Sequence, residues 1–105
     1  MSMKDFDTLW DYQHPERSEQ IFLKLLPEAE QQKDSSYQLQ LLTQIARAQG
    51  LQRHFTQASE TLDKVAAQLT PDLIVAHIRY LLERGRVLNS SGHSDEAATW
   101  FQQAW

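Results

Sequence analysis

Residues 42–65, LTQIARAQGLQRHFTQASETLDKV, and residues 81–104, LLERGRVLNSSGHSDEAATWFQQA, carry one pattern set 39 positions apart. Leu42 falls on Leu81, Ala46 on Gly85, His54 on His93, Ala58 on Ala97 and Leu62 on Phe101. In both stretches 16 residues separate the first large position from the central alanine (58 − 42 and 97 − 81). Apolar residues spaced three and four apart mark helices, and the polar, glycine-bearing join between them marks a turn. The repeating unit therefore reads as a helical hairpin. Its small residues, Ala46, Gly85, Ala58 and Ala97, suit the closest approach of paired helices, and its large ones fill the spaces between them.

Outward from this repeat, the same spacing predicts further helices. Residues 6–12 read as a short helix with Phe6, Leu9 and Trp10 on one side. His14-Pro15-Glu16 is a start signal, because proline suits the first helical position and an acid suits the first turn. Ile21, Phe22, Leu25 and Leu26 form the next face, which Pro27 is expected to end, kink or restart. Lys33-Asp34-Ser35-Ser36 is a polar break with capping residues. A third helix over 36–51 turns Leu41, Leu42, Ile45, Ala46 and Ala48 inward, with Gly50 placed for a left-handed end. A fourth over 55–69 turns in Ala58, Leu62, Val65 and Ala66. Thr70-Pro71-Asp72 opens a fifth over 71–89, with Ile74, Ile78, Leu81, Leu82 and Leu88 inward. Residues 89–92 are a turn, and a sixth helix runs from 94 to 105. The expectation is an all-α fold of six helices in a single domain, made of hairpins at 1–33, 34–69 and 70–105.

Composition agrees. The 105 residues are 41% hydrophobic and 23% charged, with three glycines and three prolines, too few turn residues for a β-rich chain of this size. The formal net charge of -4 supplies no basic stripe for a phosphate backbone, so no nucleic-acid partner is expected. No apolar run approaches the ~20 residues of a membrane span, and no signal segment is evident, so the expectation is a soluble cytoplasmic protein. The absence of cysteine removes disulfides, thiolate metal sites and cysteine nucleophiles.

The units Leu42-x2-Ile45-Ala46-x2-Gln49, Phe55, Ala58-x3-Leu62-x2-Val65 and Leu81-x2-Arg84-Gly85-x2-Leu88, Gly92, Ala97-x3-Phe101-x2-Ala104 resemble the tetratricopeptide repeat. The resemblance covers residues 37–105. It departs from the family in its period of 39 instead of about 34, in Arg84 where leucine is typical, and in Gln49 and Leu88 where an aromatic is. Before residue 37 only Leu23 and Leu26 keep register, although residues 10–51 are similar to small bacterial repeat proteins. The resemblance implies a short right-handed solenoid that binds a protein or peptide partner in a groove lined by the first helix of each hairpin. By position the groove would present Gln40, Thr43 and Arg47 from one unit and Arg79, Leu82, Arg86 and Asn89 from the next. Three arginines on one face of an acidic protein suit a carboxylate or an acidic peptide. The alternative is that they are solvated or paired with Glu83 and other acids.

Nothing in the sequence assembles a catalytic set. No two histidines stand four apart, no carboxylate lies at ligand spacing from one, and there is no phosphate loop or nucleophile motif, so neither enzyme activity, metal nor cofactor is expected. Trp10, Trp100 and Trp105 read either as binding platforms or as packing residues. A solenoid needs polar caps, and this sequence stops at Trp105 inside the expected sixth helix. Leu81, Leu88, Phe101 and Trp105 would then lie near an uncovered end. Self-assembly into a homo-oligomer through the C-terminal helices, with no separate ligand, is the alternative function, and continuation into a longer chain is the other way to cover that end.

Overall fold

The computed structural model describes residues 9–32, 34–90, 92, 100, 102 and 103. These hold four helices: α1 (Pro15–Gln32), α2 (Ser35–Leu51), α3 (Phe55–Gln68) and α4 (Ile74–Ser90). There is no strand among the described residues. The all-α class is as the spacing predicts; of the six helices expected, four are found among the described residues, and the first and sixth fall largely outside them. At the N-terminal side Leu9 is helical, but Trp10 and Asp11 are not, and Tyr12 and Gln13 form a turn. The Ser18 side chain fixes that turn, its hydroxyl accepting the Asp11 N–H at 2.8 Å and donating to the Asp11 carbonyl at 3.2 Å. Of the expected sixth helix, Trp100, Gln102 and Gln103 are helical. Phe6, Ala97, Phe101 and Trp105 lie outside the described residues.

α1 continues through Pro27, so of the expected outcomes the helix neither ends nor restarts there. The ring sits on the exposed side of the helix. Asp34 caps α2 by accepting the Tyr37 N–H at 3.0 Å. The far end of α2 is a Schellman turn: the His54 N–H reaches the Gln49 carbonyl at 2.9 Å and the Arg53 N–H reaches that of Gly50 at 2.9 Å. The left-handed residue is Arg53, at φ 63°, and not Gly50. Gly50 instead stays helical and faces α4, where a β-carbon would stand 3.5 Å from Val87 Cγ2.

α4 begins at Ile74, three residues later than expected, because Pro71 and Asp72 are used up in a turn closed by the Leu73 N–H on the Thr70 carbonyl at 3.0 Å. Its face is also rotated. Ile74 is 65% and Ile78 41% exposed, while Ala76, Tyr80, Leu81, Glu83 and Val87 are buried. Two stripes of helical spacing run along α4. The one that turns inward carries the small residues Ala76 and Gly85, which allow close approach to neighbours. In α3, Ala58, Leu62 and Val65 are buried as expected and Ala66 is exposed.

α2 packs against α1, α3 and α4, and α3 packs against α4. One cluster gathers Phe22, Ala29, Leu41, Ile45 and Ala48 with Trp10; the other gathers Leu39, Ala46, Ala58, Leu62, Val65, Ala76, Tyr80, Leu81 and Val87. Polar contacts fix the rotations. Thr61 donates to Gln49 Oε1 at 2.7 Å, and Gln49 and Gln52 donate to the Glu19 carboxylate at 3.2 and 2.7 Å, which joins α3, α2 and α1. Arg84 makes a second set of contacts across the helices. It reaches Asp63 at 2.7 Å and the Ser59 hydroxyl at 3.2 Å on α3, and its guanidinium lies 5.3 Å from the Tyr80 ring centroid and 6.0 Å from that of Trp100.

Two outcomes are expected. Ala58→Leu overpacks the α2–α3 crossing and lowers the unfolding free energy by about 1–3 kcal/mol; an unchanged denaturant midpoint would contradict the burial of Ala58. Arg53→Gly removes the steric cost of a left-handed side chain and raises stability by up to about 1 kcal/mol, whereas Arg53→Val lowers it.

Candidate functional site

The face where α2 meets α4 is built from two matching stripes. Gln40, Gln44, Arg47 and Leu51 follow one another at intervals of four, three and four on α2, and Arg79, Glu83, Arg86 and Ser90 do so on α4. Such spacing keeps each set on one side of its helix. Each member of the second stripe stands 39 residues after its counterpart, the repeat period. The first pair touches directly: Arg79 Nε donates to Gln40 Oε1 at 3.0 Å.

Two adjoining hollows lie along this face. One, of about 130 Å³, has an apolar floor of Gly50, Leu51 and Val87 and is walled by Arg47, Glu83, Arg86 and Ser90. The other, of about 110 Å³, is lined by Gln44, Arg47, Arg79, Leu82, Glu83 and Arg86. Arg47, Glu83 and Arg86 belong to both.

Glu83 is the centre of the site. Its side chain is 1% exposed, and Nη1 of Arg86 donates to both of its carboxylate oxygens. Burial pushes the Glu83 carboxyl above its ordinary value, and the guanidiniums of Arg86, Arg47 and Arg79 oppose that shift without cancelling it. Arg47 is positioned from the other side. Its guanidinium lies 5.2 Å from the ring centroids of both Trp10 and Tyr12, which stack in parallel at 5.0 Å. Trp10 is itself fixed by its indole N–H on Gln44 Oε1 at 2.9 Å and by an edge contact with Phe22. Among the described residues, no buried side-chain nitrogen or oxygen lacks a partner.

Of the residues assigned to the groove from sequence, Arg47, Arg79, Leu82 and Arg86 share this face, and Gln40 supports it through Arg79. Thr43 does not belong to it: the side chain is fully buried and its hydroxyl donates to the Gln40 carbonyl at 2.6 Å. Asn89 is exposed but lines neither hollow. Of the residues assigned to an open end, Leu81 is buried in the α2–α3–α4 cluster and Leu88 is partly buried, while Phe101 and Trp105 lie outside the described residues. Trp10, read as a platform or a packing residue, packs here against Arg47; the contribution of Tyr12, Gln44, Gly50 and Leu51 escaped the sequence reading, although Gln44 and Leu51 could have been found by carrying Glu83 and Ser90 back one period.

A separate hollow of about 190 Å³ lies between Pro71, Ile74, His77, Ile78, Leu81 and Gln103. Among the described residues, no three histidines or carboxylates come together in a way that could hold a metal ion, and no helix is long and apolar enough to cross a membrane. The chain matches none of the family models, curated proteins or solved structures with which it was compared.

The raised Glu83 carboxyl has a consequence for stability. The folded protein holds that proton to a higher pH than the unfolded chain does. The stability Glu83 contributes is thus fullest below the ordinary carboxylate value and declines as pH rises through the raised one. In urea unfolding from about pH 4 to about pH 8, the parent should lose stability relative to Glu83→Gln, and a constant difference would contradict the shift. A buried ion pair replaced by a neutral isostere is often no less stable, so Glu83→Gln should match or exceed the parent at the upper pH.

Proposed function

We propose that this chain is a protein-interaction module of the tetratricopeptide type, a short solenoid of helical hairpins, and not an enzyme. It receives an acidic segment of a protein or peptide partner on the α2–α4 face. The observation that carries this reading is the convergence of Arg47, Arg79 and Arg86 on two adjoining hollows, with a single carboxylate, Glu83, among them. On a chain of net charge -4, that face is a local reversal of sign. Guanidiniums favour carboxylates through paired, directed N–H donors, and the apolar floor of Gly50, Leu51 and Val87 gives a partner's side chain something to bury against. Placing the face on equivalent positions of successive repeats also agrees with a solenoid, because neighbouring units then present one continuous surface. No metal, cofactor, nucleic acid or membrane enters this reading, and the cytoplasm is the compartment that suits it.

A second reading has its own observation. Ile74, Val75 and Ile78 are exposed together beside the hollow at Pro71 and Leu81. Burial of this apolar strip against a second copy would make the chain a self-assembly module.

The first reading is tested with oligo-aspartate and neutral peptides of equal length. Acidic peptides should bind better, and less so as salt is raised. Arg47, Arg79 and Arg86 should be changed together to glutamine in a Glu83→Gln background, so that no buried carboxylate is left without a guanidinium. Binding should vanish while the fold persists by circular dichroism. Equal binding by parent and variant would overturn the assignment, and a scattering mass of two chains that Ile74→Glu abolishes would favour self-assembly.

A further inference from the structure

The equivalent of Glu83 one repeat earlier is Gln44. Both are buried, both lie on the same side of their helices, and both precede an arginine by three residues, Arg86 and Arg47. The two arginines differ in what holds them. Arg47 stacks against Trp10 and Tyr12, and Gln44 carries no charge to neutralise it. Arg86 is half-exposed at the lip of the hollows, and its inner side is taken by the Glu83 carboxylate. A partner's carboxylate approaching Arg86 thus meets a guanidinium already engaged by an anion of the same kind.

We propose that Glu83 is the groove's internal counter-anion: a buried carboxylate that holds from within the guanidinium a partner's carboxylate would take, and so determines how tightly the groove binds an acidic partner. This rests on the acidic-partner reading above. Among the described residues, the charged groups facing Glu83 are Arg79 and Arg86 from α4 and Arg47 from α2, with Gln44 as the uncharged polar neighbour, and no histidine and no second acid lines either hollow. When ionised, Glu83 cancels one of three guanidinium charges. Its protonation, or its replacement by glutamine, returns that charge to the face and leaves Arg86 free to turn toward a ligand. Glutamine fits the position, as Gln44 does in the preceding unit. Burial of the Glu83 side chain moves its protonation to a higher pH than that of a free carboxylate.

The experiment titrates a labelled oligo-aspartate peptide, whose side chains stay ionised above about pH 5, into the parent and Glu83→Gln at about pH 8 and about pH 5.5. Glu83→Gln should bind roughly three- to tenfold more tightly at the higher pH, the effect of removing one like charge a few ångströms from the ligand. Acidification should tighten the parent more than the variant, because any contribution from histidines elsewhere is common to both. Glu83→Leu, neutral and of similar volume, serves as the second variant should glutamine disturb the fold. Binding by Glu83→Gln equal to or weaker than the parent's, with salt-sensitive binding retained in both, would overturn the role of Glu83 and leave the groove reading standing. Failure of every one of these proteins to bind the peptide at either pH would instead overturn the groove reading, and this inference with it.

Discussion

The structure depends on α2 being covered from both sides. Leu41, Ile45 and Ala48 bury against α1 and Trp10, Leu39 and Ala46 belong to the cluster with α3 and α4, and Leu42 packs against both clusters. A single helix of 17 residues supplies part of each hydrophobic cluster, so its neighbours are arranged around it rather than around a common interior. Small side chains make this possible. Ala46, Ala48 and Ala58 are fully buried. With the helix backbones so near, the residues left on the rim between α2 and α4 are long polar ones, and these form the arginine face.

How much of this is written in the sequence differs from element to element. The repeat at 39 residues located α2, α3 and α4, because a period shared by several positions is a signal that does not depend on propensity. Asp34 was legible as a cap for the same local reason that it acts as one. Pro27 did not end α1, because its cost depends on which side of the helix it faces, and that is set by packing. The rotation of α4 was hidden because Ile74 and Ile78 form as good a stripe as Ala76 and Tyr80. Only the space beside α2 chooses the smaller pair.

The candidate site shows the same division. Arg47, Arg79 and Arg86 were assigned to one face through the family resemblance, and all three line one hollow. Thr43 was assigned with them, but α2 has no free side there, and a short hydroxyl that can satisfy itself on the Gln40 carbonyl is easily buried. The Trp10–Tyr12 stack against Arg47 could not be foreseen, since it requires the turn before α1 to fold back over α2. Glu83 was named only as a partner for the arginines. Its burial, which gives it its chemistry, follows from the rotation of α4 that the sequence left ambiguous.

The double covering of α2 also bears on cooperativity. In a long array of repeats each unit touches only its neighbours, and the ends can open while the middle stays closed. Here α2 cannot melt without dissolving both clusters, and neither cluster survives on α1, α3 or α4 alone. The four described helices should therefore unfold together. The amides of α2 would be released to solvent only when the whole molecule unfolds.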